Sequence, residues 1–185
     1  MTGSAAVAAA PERALAVPVA GGELVGTDWR ADAPGPVVVG LHGITANHRS
    51  FHGLADRVPL RLVAVDLRGR GRSRDLPAPY DLDALAADVA TALDALGIAG
   101  AIVVGHSMGG FVAARLAASR PDLVASLVLV DGGLPLAPVG DPAALLGPAV
   151  ERLSMTFASH DEYRAFWRRH PAFADWTPLA EEYVD

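Results

Sequence analysis

Residues 101–110 read AIVVGHSMGG. An apolar run, Ala101 to Val104, ends in Gly105-His106-Ser107-Met108-Gly109. The run is continuous rather than alternating, as in a strand buried on both faces of a parallel sheet. Beyond Ser107 the spacing becomes helical, with Phe111, Val112 and Leu116 on one face and Pro121 past the end. A serine at a strand-to-helix junction, with glycine two residues before and two after, predicts a sharp turn that lifts the hydroxyl clear of the sheet. Both glycines are needed where the chain passes close to itself. The Met108 N–H then sits at a helix N-terminus, placed to stabilise an oxyanion. The plain alternative is a serine that only caps the helix.

Three other stretches share this character: PVVVGLHG (36–43), RLVAVDLRG (61–69) and ASLVLVDGG (125–133). All four are expected to be strands buried on both faces. Ahead of them, Leu15, Val17 and Val19 alternate, Gly21-Gly22 turns the chain, and Leu24 and Val25 follow, predicting an antiparallel hairpin. Over 81–96, Leu82, Leu85, Val89, Leu93 and Leu96 recur at helical spacing, with Asp81 as cap and Gly97 as terminator. A shorter helix is expected from Ser50 to Arg57. Strands alternating with helices give an α/β fold with a doubly wound, mostly parallel sheet. Residues 1–12 are expected to be a disordered tail, 13–133 a partial α/β core, and 134–185 a partial helical cap or lid. That last segment opens rich in proline and glycine. It continues with amphipathic pieces at 142–157 and 160–169 and a helix start at Thr177-Pro178, and it holds seven of the eleven aromatic residues. There are no internal repeats.

Composition narrows the function. The formal charge is −6, which argues against nucleic acid or an anionic membrane as the main partner. All fifteen basic residues are arginine, a choice that reads as coding bias and carries no functional weight. There is no cysteine, so disulfides and thiolate–metal sites are excluded. No signal peptide is visible at the N-terminus and no apolar run is long enough to span a bilayer, so a cytoplasmic protein is expected.

Two further stretches strengthen the reading of Ser107. LHGITAN (41–47) places His42-Gly43 at the carboxyl end of a strand, where ligands of such sheets bind. The Ile44 N–H is a candidate second oxyanion donor. DLRGRGRSRD (66–75) is rich in arginine, but it lacks aromatics and is flanked by Asp66 and Asp75, so a phosphate or nucleic-acid patch is disfavoured. Together, His42-Gly43, the Asp66-Leu67-Arg68-Gly69-Arg70-Gly71-Arg72-Ser73 loop and Gly105 to Gly109 resemble the α/β-hydrolase fold family over roughly residues 14–133. The resemblance implies an oxyanion loop, a D-x-R-G-x-G-x-S loop and a nucleophile elbow, in that order. It implies Ser107 as nucleophile, Ile44 and Met108 as oxyanion-hole donors, and His42, Gly43, Gly105 and Gly109 as supporting motif residues. A serine here argues against the family's epoxide hydrolases and dehalogenases, which place an aspartate at this point.

A serine hydroxyl needs a base. The family order is serine, acid, histidine, with the histidine after the last strand. Only residues 108–185 follow Ser107, with one further strand and the expected cap, and the strands that would carry the usual acid and histidine are missing. His42 and His106 belong to the motifs. His48 and His52 are expected to be solvated, and His160 and His170 to lie on the cap surface. Asp131, ending LVLVD, is a candidate acid; the alternative is that it closes a turn with Gly132-Gly133. These gaps suggest a chain truncated at its C-terminus, whose full-length parent is a serine hydrolase of esterase type acting through an acyl-enzyme on a small ester-like substrate. No metal or organic cofactor is implied, and the oligomeric state is open, although an unpaired sheet edge would be sticky. The alternatives are a non-catalytic small-molecule binder or inactive fragment and, within the fold, a C–C hydrolase, lyase or acyltransferase.

Overall fold

Two residues of tight turn, Ala20 and Gly21, join β1 (Glu12–Val19) to β2 (Gly22–Trp29) as an antiparallel hairpin, with Leu15 opposite Gly26 and Val17 opposite Leu24. β3 (Val38–Leu41), β4 (Leu62–Val65), β5 (Ala101–His106) and β6 (Val124–Val130) complete one six-stranded sheet. The strand order is β1-β2-β4-β3-β5-β6. β2 meets β4 antiparallel, and β4, β3, β5 and β6 run parallel. This mixed sheet flanked by helices is the expected α/β architecture. The computed structural model describes residues 9–135, 147, 151–152 and 155–184. The chain divides into two compact units, Met1–Pro135 and Leu136–Asp185.

The alternation of side chains along each strand splits the first core in two. Val39, Leu41, Val63, Val65 and Val103 face α2 (Leu82–Ala95) and α3 (Met108–Ser119), packing on Leu85, Val89, Leu93, Val112 and Leu116. Val38, Leu62 and Ala64 face the other way, onto Trp29, Phe51 and Ala55 of α1 (His52–Arg57) and the turn before it. Truncating a fully buried leucine in such a core costs about 2–5 kcal/mol. α2 starts as expected, with the Asp81 carboxylate accepting from the Ala84 N–H at 2.8 Å.

Two expectations need correction. β3 and β4 are buried along their whole length, but β6 is not: Leu127, Val128 and Val130 are 36%, 46% and 46% exposed. Among the described residues β6 pairs with β5 alone, so its apolar side chains lack the cover that strands on both sides give β3 and β4. Residue 10, inside the tail expected over 1–12, is already held in place. Ala10 is buried and its N–H donates to Asp56 Oδ1 at 2.8 Å. Residues 1–8 of the expected tail lie outside the described residues.

In the second unit, α4 (His160–Arg169) and α5 (Pro178–Val184) form where the amphipathic spacing places them. Ser159 caps α4 by accepting from the Glu162 N–H, and Glu162 reaches back to the Ala158 N–H, a reciprocal cap. Thr177 accepts from the Ala180 N–H at the start of α5. Phe157, Tyr163, Phe166 and Trp167 pack edge to face or tilted, and Phe173 stacks on Tyr183. Arg164 pairs with Glu181, tying α4 to α5. Most of the expected piece at 142–157 lies outside the described residues.

Candidate active site

Ser107 stands between β5 and α3 with φ 51° and ψ −119°. An L-residue held there costs of order 1–3 kcal/mol, which the surroundings must impose. They do so from both sides. The Ser107 N–H donates to Val130 O at 2.8 Å, and its carbonyl accepts from the Gly110 N–H at 2.9 Å. The crowding explains the flanking glycines. A Cβ on Gly105 would lie 2.4 Å from Gly109 O, and one on Gly109 would lie 2.0 Å from Leu41 O. The Ser107 side chain makes no capping hydrogen bond. The plain helix-cap alternative therefore does not describe it.

His42 joins the loop after β3 to the loop after β4. It is fully buried. The Leu67 N–H donates to its Nε2 at 3.0 Å, so that nitrogen carries the lone pair. The proton then sits on Nδ1, which donates to Gly43 O at 2.8 Å. Burial pushes the His42 pKa down to about 4, against smaller raising contributions from Gly43 and Asp66, so the ring is neutral at ordinary pH. Gly43 is thereby held against the elbow: a Cβ on it would lie 3.3 Å from Ser107 Cβ and 3.1 Å from His106 Nδ1. The next N–H, on Ile44, has no backbone acceptor among the described residues. The Met108 N–H opens α3 and has no intrahelical partner. The structure thus brings Ser107, Gly43 and the first residue of α3 together.

The 66–73 loop is wired to its surroundings. Asp66, buried, accepts from the His48 N–H at 2.7 Å, His48 Nδ1 at 2.8 Å and the Arg72 N–H at 2.7 Å. Burial works to raise its pKa, but these bonds prevail and hold the carboxyl below its ordinary value. Arg68 forms a two-pronged pair with Asp88 of α2, both bonds 2.7 Å, and donates to Pro77 O and Ala20 O. The Ser73 hydroxyl accepts from the Val25 N–H at 2.9 Å. The most conspicuous arginine of the run is therefore spent inside the protein. His48 corrects an expectation: it is 3% exposed rather than solvated, because Asp66 binds both its backbone and its ring. His52 is also withdrawn from solvent and stacks on Trp29. Neither His48 nor Asp88 was identified from the sequence. Asp88 left a signal, since it lies three residues after Leu85 on the apolar face of its helix.

Asp131 follows β6 with φ 53° and is exposed. Its backbone neighbours both touch the elbow: Val130 O accepts from the Ser107 N–H, and a Cβ on Gly132 would lie 2.3 Å from Ser107 O. Within the first unit no described hydrogen bond joins a histidine to Ser107 or Asp131. His106 is exposed. His160 stacks on Tyr163 and His170 lies against Trp167, both within the second unit. Among the described residues no cluster of His, Asp and Glu is suited to a metal, and no helix is long and apolar enough to cross a membrane.

A strained serine between strand and helix, packed against a histidine–glycine loop, defines the nucleophile-elbow class of α/β proteins. The family model for the alpha/beta hydrolase fold matches residues 36–174, and the chain belongs to that family. Among curated relatives it is 46% identical over 100 residues to lipase LipV of Mycobacterium tuberculosis, covering 54% of this chain and 38% of that protein. It is 40% identical over 114 residues to the sn-1-specific diacylglycerol lipase ABHD11 of Mus musculus, covering 59% and 35%. It is 38% identical over 104 residues to 2-(acetamidomethylene)succinate hydrolase of Mesorhizobium japonicum, covering 55% and 37%. A crystal structure of E-2-(acetamidomethylene)succinate hydrolase superposes with a TM-score of 0.73 at 28% identity, covering 94% of this chain and 63% of that one. The matches thus span between about one third and two thirds of these relatives' own lengths.

Proposed function

We propose that this chain carries the nucleophile half of a serine hydrolase of esterase type. The Ser107 Oγ adds to the carbonyl carbon of a small ester-like substrate. The carbonyl oxygen takes up the negative charge and is met by the N–H groups of Ile44 and Met108. Collapse of that intermediate breaks the bond to the leaving alcohol, which departs with a proton, and leaves an acyl-serine. Water then attacks the acyl-serine, releasing the carboxylic acid and restoring the hydroxyl. The proton from Ser107 passes to a histidine base, which no described hydrogen bond of the first unit supplies at Ser107. Asp131 is the proposed acid that orients this base, on the strength of its strained backbone beside the elbow.

The observation that carries the reading is the Ser107 backbone, φ 51° and ψ −119°, with the side chain free of any capping bond. The names of two relatives, a lipase and a diacylglycerol lipase, favour ester chemistry. The name of a third, an acetamidomethylene-succinate hydrolase, keeps other carbonyl substrates within the same class. A fluorophosphonate probe tests the reading. Covalent labelling of Ser107, lost in Ser107→Ala, is expected. Absence of labelling, in this chain and in a longer form carrying a histidine, would sink it. That no described histidine of the first unit is hydrogen-bonded to Ser107 favours one second reading, a small-molecule binder without turnover. Labelling at Ser107 counts against that.

A further inference from the structure

Arg70 stands where the loop after β4 meets the oxyanion loop, and its bonding is unlike that of the arginines around it. Its Nε donates to Ile44 O at 3.3 Å and its Nη1 to Arg68 O at 3.0 Å. Nη2 makes no hydrogen bond among the described residues. Arg61 and Arg68, also withdrawn from solvent, are each neutralised by both oxygens of an aspartate, Asp28 and Asp88. Among the described residues Arg70 is paired with no carboxylate. Burial lowers its pKa, against a smaller raising effect of the Tyr80 phenol.

A half-buried guanidinium held by two carbonyls is oriented but not neutralised. Carbonyl dipoles fix the plane of the group, so the entropy of positioning it is already spent before a ligand arrives. Its remaining donors form a fork suited to a carboxylate. Ile44 ties this cation to the acyl site, since the residue whose carbonyl Arg70 grips is the one proposed to donate its N–H to the oxyanion.

We propose that Arg70 is a specificity-determining residue, binding a carboxylate on the acyl portion of the substrate while the ester carbonyl sits between Ile44 and Met108. This rests on the hydrolase reading for the place of the carbonyl. The anion site itself rests on Arg70 alone. The substrate class narrows accordingly, from small esters in general to half-esters of short dicarboxylic acids.

The test uses the full 185-residue chain carrying Ser107→Ala, so that binding is read without turnover. Monomethyl succinate and methyl butyrate differ by a carboxylate in place of a methyl group. Each is titrated near pH 7.5, where the half-ester is ionised, and binding is followed by the arginine Nε–H signals in NMR. Monomethyl succinate is expected to bind about tenfold to a hundredfold more tightly than methyl butyrate, the range for a hydrogen bond to a charged group, and to weaken as salt is added. Adding Arg70→Gln should abolish the preference. Arg70→Lys, which keeps the charge and loses the fork, should retain part of it and guards against loss of fold in the glutamine variant. Equal binding of the two esters, no binding of either, or a preference that survives Arg70→Gln would each overturn the proposal. The fluorophosphonate experiment reports on the hydrolase reading separately. Ser107 labelling without a carboxylate preference removes the anion site alone, and a preference without labelling removes the hydrolase reading alone.

Discussion

On the β3–β4 side of Ser107, polar side chains are buried and partnered. His42 bridges Leu67 and Gly43, Asp66 takes three hydrogen bonds, and Arg68 closes on Asp88. On the β6 side the strand is exposed, and Asp131 follows it with a strained backbone. The contrast separates two jobs. The proposed nucleophile and its proposed oxyanion donors depend on contacts made within residues 40–132. The acid–base half of a serine hydrolase needs a base delivered by another segment.

The largest way to break the wired side is Asp88→Ala. It leaves the Arg68 guanidinium buried and unpaired beneath the loop, and removing one partner of such a pair costs about 3–5 kcal/mol. Against a total stability of about 5–15 kcal/mol, that is a large fraction. Urea denaturation should show the midpoint falling by a corresponding amount. A loss below about 1 kcal/mol would mean that Arg68 reaches water and that the loop is not fixed from α2.

His42 offers a second, pH-dependent break. Its folded pKa, about 4, lies below the unfolded value of about 6.5. The unfolded chain therefore takes up a proton that the folded chain refuses. Stability is complete above about pH 6.5 and falls as the pH drops towards 4, by roughly 3 kcal/mol in all. Asp66 acts in a lower window, since its carboxyl is held below the ordinary value and gives up its contribution as the pH falls through its folded pKa. Unfolding free energy measured from pH 7 to pH 4 should show this slope in the wild type and lose it in His42→Gln. A slope unchanged in the variant would assign the effect to other groups.

How much of this was legible in the sequence follows from the range of each interaction. The elbow could be read because its pattern is local: Gly105, Ser107 and Gly109 lie within five residues and Gly105 is crowded by Gly109, although the Leu41 carbonyl that crowds Gly109 comes from another strand. The α2 cap at Asp81 and the start of α4 were legible for the same reason. The burial of His48 was not, because its partner Asp66 lies on another strand's loop. The exposure of β6 was missed in the opposite way. Its composition matches that of β3 and β4, and what differs is the number of neighbours, which a run of valines and leucines does not encode. Arg70 looked like its neighbours in the run until Arg68 proved to be neutralised and Arg70 did not.

The smallest expected effect sharpens the comparison most, because one substitution can be made on both sides of it. Val103 of β5 is fully buried, while Val128, which pairs with Val104 one strand over, is 46% exposed. Val→Thr keeps the shape and adds a hydroxyl. At Val103 that hydroxyl is desolvated, and the expected cost is about 1–3 kcal/mol. At Val128 it stays hydrated, and the expected change is within about 0.5 kcal/mol. Thermal denaturation of the two variants, with light scattering over a range of protein concentration, reads both numbers. If Val128→Thr costs as much as Val103→Thr, and the cost grows with concentration, the β6 face is covered in solution by a second copy of the chain. If Val128→Thr is silent at every concentration, the apolar surface of β6 is open to water, as the exposure of its side chains indicates.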